Sequence, residues 1–221
     1  MKLPDSLSAT KVLAKLRGHQ TRIIGLAFSD VQSILVSSGA DAQLIVWNII
    51  SWEKQACKFL QIPSGLLSTS PTDTRIQFHH DQLHFLVVHE RLMAIYETKC
   101  LECLKEWAPR EAHRLITCAA YSCDYKLIYA CFNDGVICIF HPSTLSPQYS
   151  ISRSTYLPLG ISSCVYPTVV AAHPSIPTQF TVGLTDGDIY VLEILVSEQK
   201  TMSAPATLNS GQNIEDFDLN Q

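Results

Sequence analysis

Short apolar runs alternate with turn-forming residues along most of this chain, and no helical period is sustained. From Ala14 onward the runs have strand length. Residues 23–28, 34–38 and 44–47 are the first three. Ser29-Asp30 and Gly39-Ala40-Asp41 separate them, residue types that suit turns through backbone tolerance and local side-chain hydrogen bonds. Residues 52–62 supply a fourth run. The same rhythm returns at 75–78, 83–88, 92–96 and 101–107, again at 116–121, 127–132, 136–140 and 148–151, and finally at 169–172, 180–184 and 189–192. The pattern predicts an all-β chain of four repeats over about 14–62, 74–107, 114–151 and 165–196. Residues 1–13 read as a poorly ordered lead-in and 63–73 as an exposed Ser/Thr/Pro/Gly loop. Residues 197–221, with few large apolar groups, read as a disordered tail.

Each repeat places an acid six positions before the residue that closes its third run: Asp41 before Trp47, Glu90 before Tyr96, Asp134 before Phe140 and Asp186 before Leu192. The first copy also carries Gly18-His19 and Trp47-Asn48. A unit of about 40–45 residues with a Gly-His start and a Trp-Asp end is the outline of a WD40 repeat, four strands forming one blade of a propeller. Four blades make a partial propeller if the ring is larger. In the first repeat His19, Ser37, Asp41 and Trp47 stand where such blades join four side chains in a buried hydrogen-bond network, since a buried Trp N–H and Ser hydroxyl need partners. Leu86, Ala130 and Val182 occupy the serine position in the other repeats, which leaves those blades to apolar packing. Glu90, Asp134 and Asp186 are their candidate turn acids.

A charged share of 16% beside 47% hydrophobic residues suits compact β structure. The net charge of −4 divides into +2 for residues 1–110 and −6 for 111–221, without a Lys/Arg cluster. Direct nucleic-acid binding is therefore not expected, and no basic nuclear import signal is visible. Cys118, Cys131, Cys138 and Cys164 lie in apolar runs, where cysteine acts as a small buried hydrophobe. No leader sequence and no apolar run of about 20 residues is present, so the expectation is a soluble protein of a reducing compartment with no membrane contact.

Three groupings could carry chemistry. Ser37, His19 and Asp41 would satisfy a search for a hydrolase triad, but Ser37 lies mid-strand without the sharp G-x-S-x-G elbow that exposes a nucleophile. Cys100-x-x-Cys103 lacks the second ligand pair of a zinc ribbon. His79, His80, His84 and His89 are dense, yet Asp81-Gln82 reads as a turn that breaks any shared strand face, leaving surface and turn histidines. The expectation is a non-enzymatic chain without cofactor or metal.

Beyond the repeat, the segments LRGHQTRIIGLAFS, LVSSGADAQLIVW, RIQFHHDQLHFLVVHE, YSCDYKLIYACF and VVAAHPSIPTQFTVGLTDG resemble the C-terminal WD40 region of the plant Topless and Topless-related transcriptional corepressors, over about residues 15 to 195. The resemblance implies the last blades of a second propeller and a protein-interaction scaffold in the nucleus. It implies transcription factors or chromatin co-repressors as partners. The family's N-terminal repressor-peptide-binding region has no counterpart here, so none of its binding residues is carried over. Open sheet edges would allow pairing with a full-length relative. The alternative reading is a truncated propeller without independent activity. Exposed turns such as 38–42 and 133–135 are the expected partner-binding loops. The tail's Asp218-Leu219-Asn220 resembles a short repressor motif that such corepressors recognise, a tripeptide that also arises by chance.

Overall fold

The computed structural model describes residues 11–62, 73–158, 160 and 162–195, so most of the expected lead-in, the 63–73 loop and the tail lie outside the described residues. Four antiparallel sheets follow one another, each in simple up-and-down order. Blade 1 holds β1 (Ile23–Ser29), β2 (Ile34–Gly39), β3 (Gln43–Asn48) and β4 (Lys54–Phe59). Blade 2 holds β5 (Thr74–Phe78), β6 (His84–His89), β7 (Leu92–Glu97) and β8 (Cys103–Trp107). Blade 3 holds β9 (Ile116–Tyr121), β10 (Ile128–Phe132), β11 (Ile137–His141) and β12 (Ser146–Ile151). Blade 4 holds β13 (Pro167–Ala172), β14 (Gln179–Leu184) and β15 (Ile189–Glu193). A single helical turn, α1 (Arg153–Tyr156), bridges blades 3 and 4.

The two middle strands of blades 1 to 3 read as continuous apolar runs because both of their faces are covered. Val36, Leu44 and Val46 of blade 1 meet Phe85, Val87, Ala94 and Tyr96 of blade 2. The other face of blade 2, with Leu86, Val88, Met93 and Ile95, meets Ile128, Ala130, Phe132 and Phe140. Tyr129, Cys131, Ile137 and Ile139 in turn meet Phe180, Val182 and Leu184. Tyr129 stacks on Phe180 with ring centroids 4.3 Å apart, and its hydroxyl donates to the carbonyl of Pro177 in blade 4. Outermost strands such as β12 are mostly exposed, consistent with their polar composition.

Strand pairing aligns the repeats residue by residue. Trp47 lies opposite Leu35, Tyr96 opposite Phe85, Phe140 opposite Ile128 and Leu192 opposite Phe180. The serine position of the second repeat is therefore Val87, not Leu86, whose side chain faces blade 3. Counting back from Glu90 slips by one because the turn between β6 and β7 is one residue shorter than its counterparts.

In blades 1, 3 and 4 this turn has one form. Its third residue is left-handed: Ala42 at φ +58°, Gly135 at +83° and Gly187 at +99°. Their amides donate to the carbonyls of Gly39, Phe132 and Leu184. Glycine adopts this backbone freely whereas an L side chain costs about 1 kcal/mol. Ala42→Gly is thus expected to raise stability by up to about 1 kcal/mol. Gly135→Ala, whose new methyl group would also press on Arg153, should lower it by at least that much. Urea unfolding midpoints decide both, and a fall for Ala42→Gly would contradict the strain assigned to this turn.

Candidate functional site

The sequence-selected side chains of the first repeat converge. Ser37 sits on β2 with its hydroxyl buried, between His19 of the segment before β1 and Trp47 of β3. His19 Nε2 lies 2.7 Å from Ser37 Oγ, and Trp47 Nε1–H donates to the same oxygen at 2.8 Å. The fourth member stands further off, with His19 Nδ1 3.9 Å from Asp41 Oδ1. Gly39 lies between them, and a Cβ there would press on both. Burial lowers the His19 pKa, with Asp41 opposing. Ser37 Oγ is thus held between two buried side chains, mid-strand and without a sharp nucleophile turn. Removing it strands the buried Trp N–H and His nitrogen, so Ser37→Ala is expected to cost about 1–3 kcal/mol of stability. A variant as stable as the parent in thermal and urea unfolding would contradict this.

The turn acids do more than keep a spacing. Asp41 Oδ1 accepts from the Gln43 amide (3.2 Å), Asp134 Oδ1 from Val136 (2.9 Å) and Asp186 Oδ1 from Asp188 (3.2 Å). Three turns are closed by a side-chain carboxylate in the same way, so these repeats do not rest on apolar packing alone. Asp134 also faces Arg114 at 3.1 Å, and that guanidinium lies 4.1 Å from the Phe132 ring centre. Glu90 belongs to the shorter turn and instead lies 3.7 Å from Arg91 Nε. There the neighbouring imidazole takes over: His89 Nδ1 accepts from the Arg91 amide at 3.1 Å.

Among the surface and turn histidines expected, His89 serves a turn but is buried, because β6 ends on the face that packs inward. Burial, and secondarily Arg91, holds its pKa down at about 4. An unfolded histidine titrates near 6.5. The folded state therefore refuses a proton that the unfolded chain accepts. This contribution to stability is fully present above pH 6.5 and is lost as pH falls toward 4. Between pH 7.5 and 5.0 the expected loss is roughly 2 kcal/mol. His89→Gln should flatten that part of the pH profile of urea unfolding. An unchanged slope in the variant would refute the assignment.

At the end of the blades opposite these turns, loops of blades 2 and 3 enclose an apolar groove of about 430 Å³. His79, Tyr121, Tyr125, Ile95 and Leu104 line it, with Lys105 and Lys126 at the rim. Asp81 orders its floor: Oδ2 lies 3.0 Å from His79 Nδ1 and 2.7 Å from His84 Nδ1, while Oδ1 accepts from the Leu83 and His84 amides. Burial alone would raise this carboxyl, but those hydrogen bonds outweigh it and hold the pKa at about 2. The near turns flank a second, polar cleft of about 420 Å³ lined by Arg75, His89, Glu90, Asn133 and Tyr166. Residues 38–40 and 42, proposed from sequence as a partner-binding turn, are buried. The aromatic groove was missed because its walls come from loops far apart in the chain.

The remaining sequence candidates stay apart. Cys100 lies in a turn, its thiol donating to Glu97 Oε2 at 3.0 Å, and Cys103 opens β8. All eight cysteines are free. Cys118, Cys131 and Cys138 are buried, but Cys164 is exposed because it falls in the linker after α1 rather than in a strand. Among the described residues no group of three His, Cys, Asp or Glu side chains is placed to hold a metal ion.

The family model "WD domain, G-beta repeat" matches residues 10–48 and 101–141. Protein TOPLESS of Arabidopsis thaliana is 52% identical over 200 residues, which cover 90% of this chain and 18% of that protein. Protein TPR3 of Oryza sativa subsp. japonica is 56% identical over 199 residues, again 90% of this chain and 18% of the relative. The chain thus spans under a fifth of the length of the curated relatives it matches. Among solved structures, the computationally designed Ika4 protein superposes with a TM-score of 0.60 at 21% identity, over 84% of this chain and 99% of that one. The designed Ika8 protein gives 0.59 at 20% identity, over 81% and 48%. The Myceliophteria thermophila Cps50 (Swd1) β-propeller domain gives 0.61 at 16% identity, over 86% and 57%. Blade topology, repeat register and sequence agree: the chain is a WD-repeat β-propeller protein, related by sequence to Topless and the Topless-related proteins of plants.

Proposed function

We propose that this chain is a non-enzymatic protein-interaction scaffold of the Topless corepressor type, acting in the nucleus on transcription. The observation that carries the reading is the 52% identity to Protein TOPLESS over nine-tenths of the chain. His19, Ser37, Asp41 and Trp47 serve structure in this reading, as do Asp134 and Asp186 at their turns. Ser37 Oγ is engaged by His19 and Trp47, and Asp134 and Asp186 each accept from a backbone amide.

The proposed partners are proteins, transcription factors or chromatin co-repressors, with no direct contact to nucleic acid. The groove of His79, Tyr121 and Tyr125 suits them best, because aromatic-lined apolar recesses are where interface energy concentrates. A second reading, a partial propeller that acts only when its ends are covered, is favoured by the exposed apolar faces of blades 1 and 4. Pairing with a full-length relative would cover them.

Tethering the chain to a reporter promoter through a fused DNA-binding domain tests the function. Repression of several-fold is expected, weakened by Leu104→Glu in the groove at unchanged protein level. Unaltered reporter output from a folded, nuclear fusion would overturn the corepressor reading.

A further inference from the structure

The apolar groove between blades 2 and 3 has walls set inside the molecule, since each of these blades packs on a neighbour at both faces. Leu104 of β8 is 39% exposed there, an apolar side chain left uncovered beside Tyr121 and Tyr125. Tyr125 holds a left-handed backbone at φ +59°. Ser33 and Gln82 occupy the same place in the matching turns of blades 1 and 2, but a bulky ring there is an outlier that costs backbone energy. The strain secures a placement. The Tyr125 ring centre lies 5.2 Å from those of His79 and His80 and 5.4 Å from that of Tyr121. Four rings thus cluster at one side of the groove, an arrangement suited to ring-on-ring contact.

Charge selects among ring-bearing ligands. Lys105 and Lys126 stand at the rim. Lys105 makes no ion pair among the described residues. Lys126 Nζ lies 3.8 Å from Asp124 Oδ2, an exposed contact that water largely screens. Glu106 adjoins Lys105 in sequence but falls on the opposite face of β8. Within the groove, the two oxygens of Asp81 are both engaged, one by the His79 and His84 rings and the other by two backbone amides. A cationic ligand would have to pass two ammonium groups to reach a carboxylate already in use. An anionic one meets two positive charges as it enters.

We propose that the groove binds a short segment of a partner protein in which an aromatic side chain is flanked by acidic residues. The ring fills the apolar space beside Tyr121 and Tyr125, and the acids meet Lys105 and Lys126. The inference rests on the interaction-scaffold reading and specifies the kind of segment that the scaffold holds.

Selection of a random phage-displayed peptide library on the immobilised full chain, followed by fluorescence anisotropy of the enriched peptides, tests it. Enriched sequences are expected to combine Trp, Tyr or Phe with neighbouring Asp or Glu, and to bind more weakly as salt rises. Lys105→Gln and Lys126→Gln should each weaken binding about two- to fivefold. Leu104→Glu, which sets a carboxylate in the groove, should weaken it roughly tenfold or more. All three positions are exposed, so an unchanged far-UV circular dichroism spectrum is expected for each variant. The lysine variants carry the test if Leu104→Glu misfolds. A library that yields no binder would overturn the proposal. So would enrichment of basic or uncharged sequences, or enriched peptides that bind the lysine variants as tightly as the parent. Repression by the tethered chain separates the two readings. Repression retained with no enriched peptide removes the groove's ligand and leaves the scaffold, whereas repression absent with peptide binding intact removes the corepressor role alone.

Discussion

Burial of sheet against sheet is the interaction on which the rest of this molecule depends. A lone four-stranded antiparallel sheet with apolar side chains on both faces cannot satisfy itself in water. The middle strands β2, β3, β6, β7, β10 and β11 are of that kind, and the faces between blades become cores when a neighbouring blade arrives, while Leu16 and Ile49 pack on the first face of blade 1. Stability is therefore shared along a row of nearest-neighbour layers instead of collecting in one centre. Turns, polar networks and clefts are arranged around those layers.

Polar groups enter where a layer leaves a gap. In blade 1 the position opposite Ile45 is Ser37, and its hydroxyl ties together the His19 ring and the Trp47 indole. The same position holds Val87, Ala130 and Val182 in the other blades, where the facing sheet fills the space. Turn closure shows the same economy of means. A carboxylate closes three turns, and where one residue is missing the His89 ring closes the fourth from a buried position.

Strands were legible from sequence because the apolar runs are short, regularly spaced and bounded by turn residues, and the Gly-His and Trp-Asn signals gave the repeat its phase. The meeting of His19, Ser37 and Trp47 was legible for the same reason, whereas Asp41 stays 3.9 Å from the His19 ring. Three features were not. The shortened turn before β7 shifted the count by one, so Leu86 stood in for Val87. His89 read as a surface residue because nothing in its neighbours reveals that the strand end turns inward. The bare faces of blades 1 and 4 escaped notice because Phe28 and Val191 look like any other residue at their repeat positions. Their exposure depends on whether a neighbour exists, which local pattern does not encode.

Hydrogen exchange followed by mass spectrometry, on dilute protein, measures most directly whether blade-to-blade burial carries the stability. If it does, amides of β6, β7, β10 and β11, flanked by layers on both sides, exchange slowest, and those of β15 exchange fastest among the strands. Equal protection of β15 and β10 in the isolated chain would contradict it, because each sheet would then be holding itself together.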